Sequence, residues 1–327
     1  MNAMQYPSVA ANRTQTIAFL LIDGFALMSY AAATEPLRAA NLLSGRPLYR
    51  WRHVAVGGAS VEASNGVQVL ADQQVGDKAA IDTVMVCAGG NPALFDDGAT
   101  FAWLRDLARQ GVRLGGVSGG PWILARAGVL QGYRATIHWE HLPALAEAFP
   151  TLELKRTLFE VDRDRLTCAG GVAALDMMLE LIERDHGRAL AGAVADWYLR
   201  SEMRSGGAPQ RLQPQERFGV SNERLLRALA YMESRLEEPA GKAQIAAAAG
   251  ISVRQLERLF VQHLGTTPAQ RYLQIRLDRA RTLLRQTSLS VMEAAVASGF
   301  VSHSHFARAY RARFGVSPRA EHSPGRR

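Results

Sequence analysis

The strongest pattern of apolar and polar positions lies towards the C-terminal end, where one arrangement is written twice. The first copy runs Ala246, Gly250, Ser252, Leu256, Arg258, Phe260, Leu264, Gly265, Pro268, and the second runs Ala295, Gly299, Ser302, Phe306, Arg308, Tyr310, Phe314, Gly315, Pro318. From the serine onward the offset is a constant 50 residues, and before it 49. Two copies make a duplicated module and not a solenoid. In each copy an Ala-rich short helix (244–249, then 292–298) is predicted to stop at a glycine, which takes the left-handed conformation that ends a helix. A serine follows, placed to cap the next helix. Leu256, Leu259 and Phe260, and again Phe306, Ala309 and Tyr310, have the i, i+3, i+4 spacing of one buried stripe. Each copy therefore reads as a helix-turn-helix. Between them Thr267, Pro268 and Gln270 predict a capping box opening a long helix over 268–285.

Upstream the period changes. Thr16–Asp23 is a short apolar run closed by Asp23-Gly24, the profile of a strand buried on both faces. Phe25–Leu42 has helical spacing. Strand-like runs follow at Trp51–Val56, Val67–Ala71, Thr83–Cys87 and Val112–Val117, with helical stretches at 101–110 and 121–127. Thr151–Thr167 reads as added strands, and Ala173–Leu199 as one long helix or two in sequence. Strands alternating with helices predict an α/β domain with a parallel sheet flanked by helices, flavodoxin-like in plan, ahead of an all-α domain with two helix-turn-helix motifs. Ser205–Gln215 has the Gly, Pro and polar make-up of a linker. The expected division is a flexible segment 1–14, a sensing and dimerisation domain 15–203, a linker 204–220, a DNA-binding domain 221–320 and a tail 321–327.

Charge sharpens the division. The chain of 327 residues carries 38 Lys and Arg against 30 Asp and Glu. Residues 1–200 hold 18 of those cations and 20 of the anions, whereas residues 201–327 hold 20 cations and 10 anions. A basic domain behind a near-neutral one is what neutralising nucleic-acid phosphates requires. Arginine supplies nearly all of that charge, which favours forked contacts to phosphate and guanine. The polar face of the first copy offers Ser252, Arg254, Gln255, Glu257 and Arg258, and that of the second offers Ser302, His303, Ser304 and Arg308. Arg can grip guanine in a bidentate way, and Gln, His and Ser can reach base edges or phosphate. These observations point to double-stranded DNA as a partner.

Residues 222–320 resemble the DNA-binding domain of the AraC/XylS family of bacterial transcription regulators. The closing signature from Ala295 through Gly299-Phe300 to Tyr310 and Phe314-Gly315-Val316-Ser317-Pro318 carries the resemblance. It implies that Arg254, Glu257 and Arg258 face bases from one head and His303, Ser304 and Arg308 from the other. It also implies RNA polymerase as a protein partner.

Only two cysteines occur, Cys87 and Cys168, which fits a reducing cytoplasm and gives neither a disulfide framework nor a zinc spacing. No metal or cofactor is expected. The first residues lack the apolar core of a signal peptide, and no run approaches the ~20 apolar residues of a membrane helix. Cys168 reads as a small buried hydrophobe and Asp176 as a helix-start carboxylate.

Gly116-Val117-Ser118-Gly119-Gly120 matches G-x-S-x-G between a strand and a helix, the setting of a nucleophile elbow. Residues 15–190 resemble the class I glutamine-amidotransferase-like superfamily in its PfpI branch. That resemblance rests on the Gly89-Gly90 turn, the elbow from Val117 to Pro121 and Ala135-Thr136-Ile137-His138-Trp139. Active members of that branch carry cysteine where this chain has Ser118, and a glutamate at the place of Leu27. The resemblance therefore implies a pocket that kept its shape without its chemistry, so no catalytic residue is expected. The competing expectation is a hydrolase using Ser118, with His138 or His141 as base.

The pairing of the two domains resembles the GlxA-type subgroup, and the stretch from Leu158-Phe159-Glu160-Val161-Asp162 through Asp185-His186-Gly187 resembles its members that govern catabolism of small amines such as carnitine, glycine betaine or arginine. This implies a ligand-responsive, homodimeric transcriptional regulator, an activator. The N–H groups of Gly119 and Gly120, near Gly89, Gly90 and Ser118, would take a carboxylate. Trp139 and His138 would offer ring faces to the cationic end and Glu35 a counter-charge. For Trp139 the alternative is a packed core aromatic, and for Glu35 a helix-surface charge. A constitutive DNA binder whose N-terminal domain only dimerises is the third expectation.

Overall fold

The computed structural model describes residues 13–211, 215, 218–286 and 289–322. The chain forms two compact units whose boundary in sequence falls between Gln210 and Arg211. The segment before residue 13, much of the expected linker between 212 and 217, and the tail beyond 322 lie outside the described residues.

The first unit contains strands Gln15–Leu21 (β1), Tyr49–Ala55 (β2), Ser60–Glu62 (β3), Gln68–Leu70 (β4), Gln73–Gln74 (β5), Thr83–Ala88 (β6), Arg113–Ser118 (β7), Arg134–Ala135 (β8), Glu153–Leu154 (β9), Phe159–Asp162 (β10) and Arg165–Cys168 (β11). Its helices are Leu27–Ser44 (α1), Gly98–Arg109 (α2), Gly120–Arg126 (α3), Leu142–Ala148 (α4), Ala173–His186 (α5) and Arg188–Trp197 (α6). Seven strands form one sheet in the order β10-β11-β7-β6-β1-β2-β5, parallel except for the β10–β11 pair at one edge.

Strand β1 shows why its sequence is continuously apolar. Ile17, Phe19 and Leu21 enter one core with Leu37 of α1 and Leu179 of α5. Ala18, Leu20 and Ile22 enter a second core with Leu104 of α2 and Ile123 of α3. Side chains alternate across a strand, so helices on both faces demand apolar residues at every position. Each large side chain so buried contributes about 1.5–3 kcal/mol. The chain leaves β1 for β2 on one side and returns through β6 on the other, so a crevice opens beyond the strand C-termini where the order reverses.

Of three details, the first and last differ from the sequence pattern and the second decides between its two alternatives. The run at 67–71 pairs only with β3, outside the main sheet, as an antiparallel ribbon. Ala173–Leu199 is two helices broken at Gly187, whose φ is 90°. The start of the linker-like stretch lies on the first unit: Leu158 donates its N–H to Gly206 O at 2.8 Å, and Thr157 bridges Pro209.

The second unit contains Glu223–Ser234 (α7), Lys242–Ala248 (α8), Val253–Leu264 (α9), Pro268–Gln286 (α10), Val291–Val296 (α11), His303–Phe314 (α12) and Pro318–His322 (α13). Leu225, Leu229 and Met232 of α7 pack with Ile245, Leu256, Phe260 and Tyr272 in one core. Leu277, Leu283 and Leu284 of α10 pack with Phe306 and Tyr310 in another. Helix α10 supplies both. Its start carries the capping box, with Gln270 N–H donating to Thr267 Oγ1 at 3.2 Å and Thr267 N–H to Gln270 Oε1 at 3.3 Å.

Candidate functional site

The two helix-turn-helix pairs are α8–α9 and α11–α12. Each turn bends at a glycine in the left-handed region, Gly250 at φ 67° and Gly299 at φ 74°. Ser252 then caps α9 by accepting the Gln255 N–H at 3.2 Å, and Ser302 caps α12 by accepting the His305 N–H at 3.3 Å. Leu256 and Phe260, like Phe306 and Tyr310 fifty residues on, are fully buried, while Arg254, Gln255, Arg258, His303, Ser304 and Arg308 are exposed. The same stripe packs each second helix and leaves the same polar face outward.

The expected reading residues are not equivalent once their bonds are placed. Gln255 also closes the capping box, its Oε1 accepting the Ser252 N–H at 3.0 Å, so its side-chain N–H donors remain for an outside partner. Glu257 pairs with Lys242 of α8 at 2.7 Å, which ties it to its own motif. Arg308 Nε donates weakly to Ser304 O, one helical turn back, at 3.4 Å. Arg254 and Arg258 make no hydrogen bond or ion pair among the described residues. Helix α10, 19 residues long, spans about 28 Å at 1.5 Å per residue, comparable with the ~34 Å of one DNA turn.

In the first unit the elbow is formed as its sequence implies. Ser118 ends β7 with φ 60°, a strained conformation for a residue with a side chain and common at functional sites. Behind it the chain is crowded. A Cβ on Gly170, itself at φ 88°, would lie 2.7 Å from Ser118 Cβ and 2.8 Å from Ser29 Oγ. Ser29 of α1 is buried and accepts the Gly171 N–H at 2.7 Å. His138 closes another side, its N–H reaching Ser118 O at 3.4 Å. The rings of Trp139 and His141 stand 5.5 and 5.9 Å from that of His138. Gly119 adjoins the turn after β6, its N–H donating to Ala88 O at 3.0 Å.

Several expected roles change here. The Gly119 N–H is spent on Ala88, leaving Gly120 as the glycine of the pair with no such bond to the neighbouring strand. Glu35 is held by Arg38 at 2.7 Å and Tyr198 at 3.0 Å, where α1 meets α6. It lies six residues along α1 from Ser29, about 9 Å; the acidic group beside His138 is Glu140, at 3.7 Å. Trp139 is 37 % exposed, so the packed-core alternative fails for it. Asp176 does stand in the first turn of α5, and it is also buried there and clamped by Arg200 at 2.7 Å and Arg204 at 2.5 Å. Gly90, at φ 57° and exposed, turns the chain after β6.

Burial keeps the two histidines near Ser118 uncharged at neutral pH. Burial, together with His138, lowers His141 to about 4, and burial also lowers His138 despite Glu140. Cys168, fully buried, is pushed up to about 12 by burial, so it is no ready thiolate. The Ser118 hydroxyl hydrogen-bonds to neither histidine. Ser29 and Gly170 escaped the sequence reading, although the Gly170-Gly171 pair closing β11 marked a close approach. Among the described residues no helix is long and apolar enough to cross a membrane, and no cluster could hold a metal ion.

Comparison with known proteins agrees with this two-part plan. Residues 15–184 match the DJ-1/PfpI family, and residues 245–321 match a helix-turn-helix domain. The chain is 45% identical over 307 residues to the HTH-type transcriptional regulator GbdR of Pseudomonas aeruginosa, covering 94% of this chain and 84% of that one. It is 46% identical over 309 residues to the HTH-type transcriptional regulator GlxA of Rhizobium meliloti, covering 94% and 95%. A crystal structure of an AraC family transcriptional regulator from Pseudomonas putida superposes with a TM-score of 0.51 at 29% identity, covering 56% of this chain and 99% of that one. With a DJ-1/PfpI domain joined to a duplicated helix-turn-helix domain, the chain belongs to the GlxA/GbdR-type transcriptional regulators of the AraC family, which bind DNA.

Proposed function

We propose that the first unit senses a small zwitterionic metabolite, an amine or amino-acid derivative of the carnitine, betaine or arginine type, and adjusts transcription through the second. The carrying observation is an elbow that keeps its strained Ser118 and tight glycines while the histidines beside it are neutral and unbonded to the hydroxyl. Such a site holds a ligand without an activated nucleophile, which favours binding over turnover. The carboxylate end is assigned to Ser118 and the Gly120 turn. The cationic end is assigned to the ring faces of His138 and Trp139, with Glu140 in the counter-charge role first given to Glu35. The protein acts as a cytoplasmic homodimer paired through its first unit, and as an activator that engages RNA polymerase. Ligand shifts the DNA-bound arrangement only by its differential affinity for the two states.

The test is fluorescence anisotropy of the full-length protein on DNA upstream of its own and neighbouring genes, with a panel of small amines and a random-sequence competitor. One amine altering site-specific binding supports the reading. Specific binding unmoved by any amine leaves a constitutive binder. Turnover of an amide or ester that disappears in Ser118→Ala would instead establish the hydrolase.

A further inference from the structure

Beside the first reading head, between the start of α7 and the exposed face of α9, lies an open concavity of about 450 Å³. Arg224 and Arg227 enter it from α7, and Gln255 and Arg258 from α9, with Glu223 at its edge. The three arginines are exposed and make no ion pair or hydrogen bond among the described residues. Other arginines are already committed: Arg313 is bound to Asp278, Arg285 and Arg281 to Glu321, and Arg200 and Arg204 to Asp176. Three unpaired guanidiniums facing one hollow, against a single carboxylate, repel one another until an anion enters.

At the second head the arginine in the corresponding place is already committed. Arg276, on the helix packed behind it, donates to Ser298 O at 2.9 Å and to Gly299 O, and lies over the Phe300 ring at 4.3 Å. Its charge is committed to holding the turn. The hollow beside the first head is therefore not a by-product of the repeated motif.

We propose that this concavity seats a phosphodiester of the DNA backbone, with Arg224 and Arg227 as its clamp and Arg258 at the junction between backbone and bases. It rests on DNA binding by the second unit. A guanidinium fork matches two phosphate oxygens. A backbone group held there fixes how α9 enters the groove, because phosphate contacts set register while base edges set sequence. The same chemistry would accept a free phosphate, so the two sources must be separated.

The experiment compares the full-length protein with Arg224→Gln/Arg227→Gln and Arg224→Lys/Arg227→Lys on its own upstream site and on random duplex, over a salt series. Expected for the Gln pair is a roughly ten- to hundredfold weakening on both duplexes. The log–log salt slope should become shallower by about 1–2, base preference should be kept, and the Lys pair should recover most of the slope. Single methylphosphonate substitutions along the first half-site should weaken the parent at one or two linkages and leave the Gln pair indifferent there. Unchanged affinity and slope would overturn the proposal, as would a loss confined to the specific duplex. So would inorganic phosphate binding that vanishes in the Gln pair while DNA affinity stays. A parent protein that binds no DNA would remove the DNA reading and this seat with it. Both side chains are exposed, so equal melting temperatures are expected and distinguish a binding loss from misfolding.

Discussion

The side-chain amide of Gln210 donates to the backbone oxygen of Ile137 at 3.0 Å. The same nitrogen reaches Thr136 Oγ1 at 3.0 Å and Thr157 O at 2.7 Å. Ile137 is followed by His138, whose N–H meets Ser118 O. The last residue of the first unit is thus fastened one residue from the wall of the candidate pocket. Gln210→Ala would remove these bonds and leave the buried Ile137 carbonyl without its partner, while Thr157 O keeps the Thr136 hydroxyl at 2.9 Å, a local cost of about 1–3 kcal/mol. Hydrogen exchange should report it at the Leu158 amide, which bonds Gly206 O in the same strap. Faster exchange there, with unchanged exchange in β1, is the expected outcome.

The Asp176 clamp predicts a larger effect. Its carboxylate is wholly buried between Arg200 and Arg204. Asp176→Asn leaves two guanidiniums facing an uncharged amide, and breaking a buried pair costs on the order of 3–5 kcal/mol. Thermal unfolding of the full chain should show the N-terminal transition moving down sharply. A shift below one degree would mean the arginines find other partners.

These two features show where the sequence stops being legible. The helix-turn-helix pairs could be read because their spacing is local, and Gly250, Ser252 and Phe260 each act within one motif. The strand pattern of β1 was legible because burial on both faces leaves a continuous apolar run. Asp176 was not, since its partners lie 24 and 28 residues downstream, and nothing in a helix start says which arginines return to it. Glu35 fits its helix-surface alternative, paired with Arg38, and Ser29 on the same helix is the residue brought to the elbow. Gln210 looked like linker composition, because a hydrogen-bonded strap has no periodicity of its own.

Stability should fall at mildly acid pH. Burial lowers His141 to about 4 in the folded chain, against about 6.5 when unfolded. Between those values the unfolded state binds the extra proton, so stability is full above about pH 6.5 and is lost as pH falls towards 4. The depressed value corresponds to about 3 kcal/mol, with His138 adding in the same direction. A His141→Gln variant should show a flatter acid limb in melting temperature against pH. An identical limb would place the acid sensitivity elsewhere.

Gly170 offers a test of the pocket's shape. Gly170→Ala places a methyl group against Ser118 and Ser29 at a φ of 88°, and such overpacking costs about 1–3 kcal/mol. Binding of the active amine, read by calorimetry, should weaken more than tenfold while the salt dependence on DNA stays unchanged. Equal amine affinity would move the ligand away from the elbow.

On the DNA side, Arg308→Ala should cost about 1–3 kcal/mol on the specific duplex if the side chain reads a base. Anisotropy on specific and random duplexes separates the cases. An equal loss on both would show that Arg308 holds backbone.

Among the described residues the two apolar cores of the second unit share only helix α10, which gives Tyr272 to one and Leu277, Ala280, Leu283 and Leu284 to the other. Each head therefore carries its own foundations. A lineage can revise the preference of one half-site, residue by residue, while the other keeps the regulator on its promoter throughout the change.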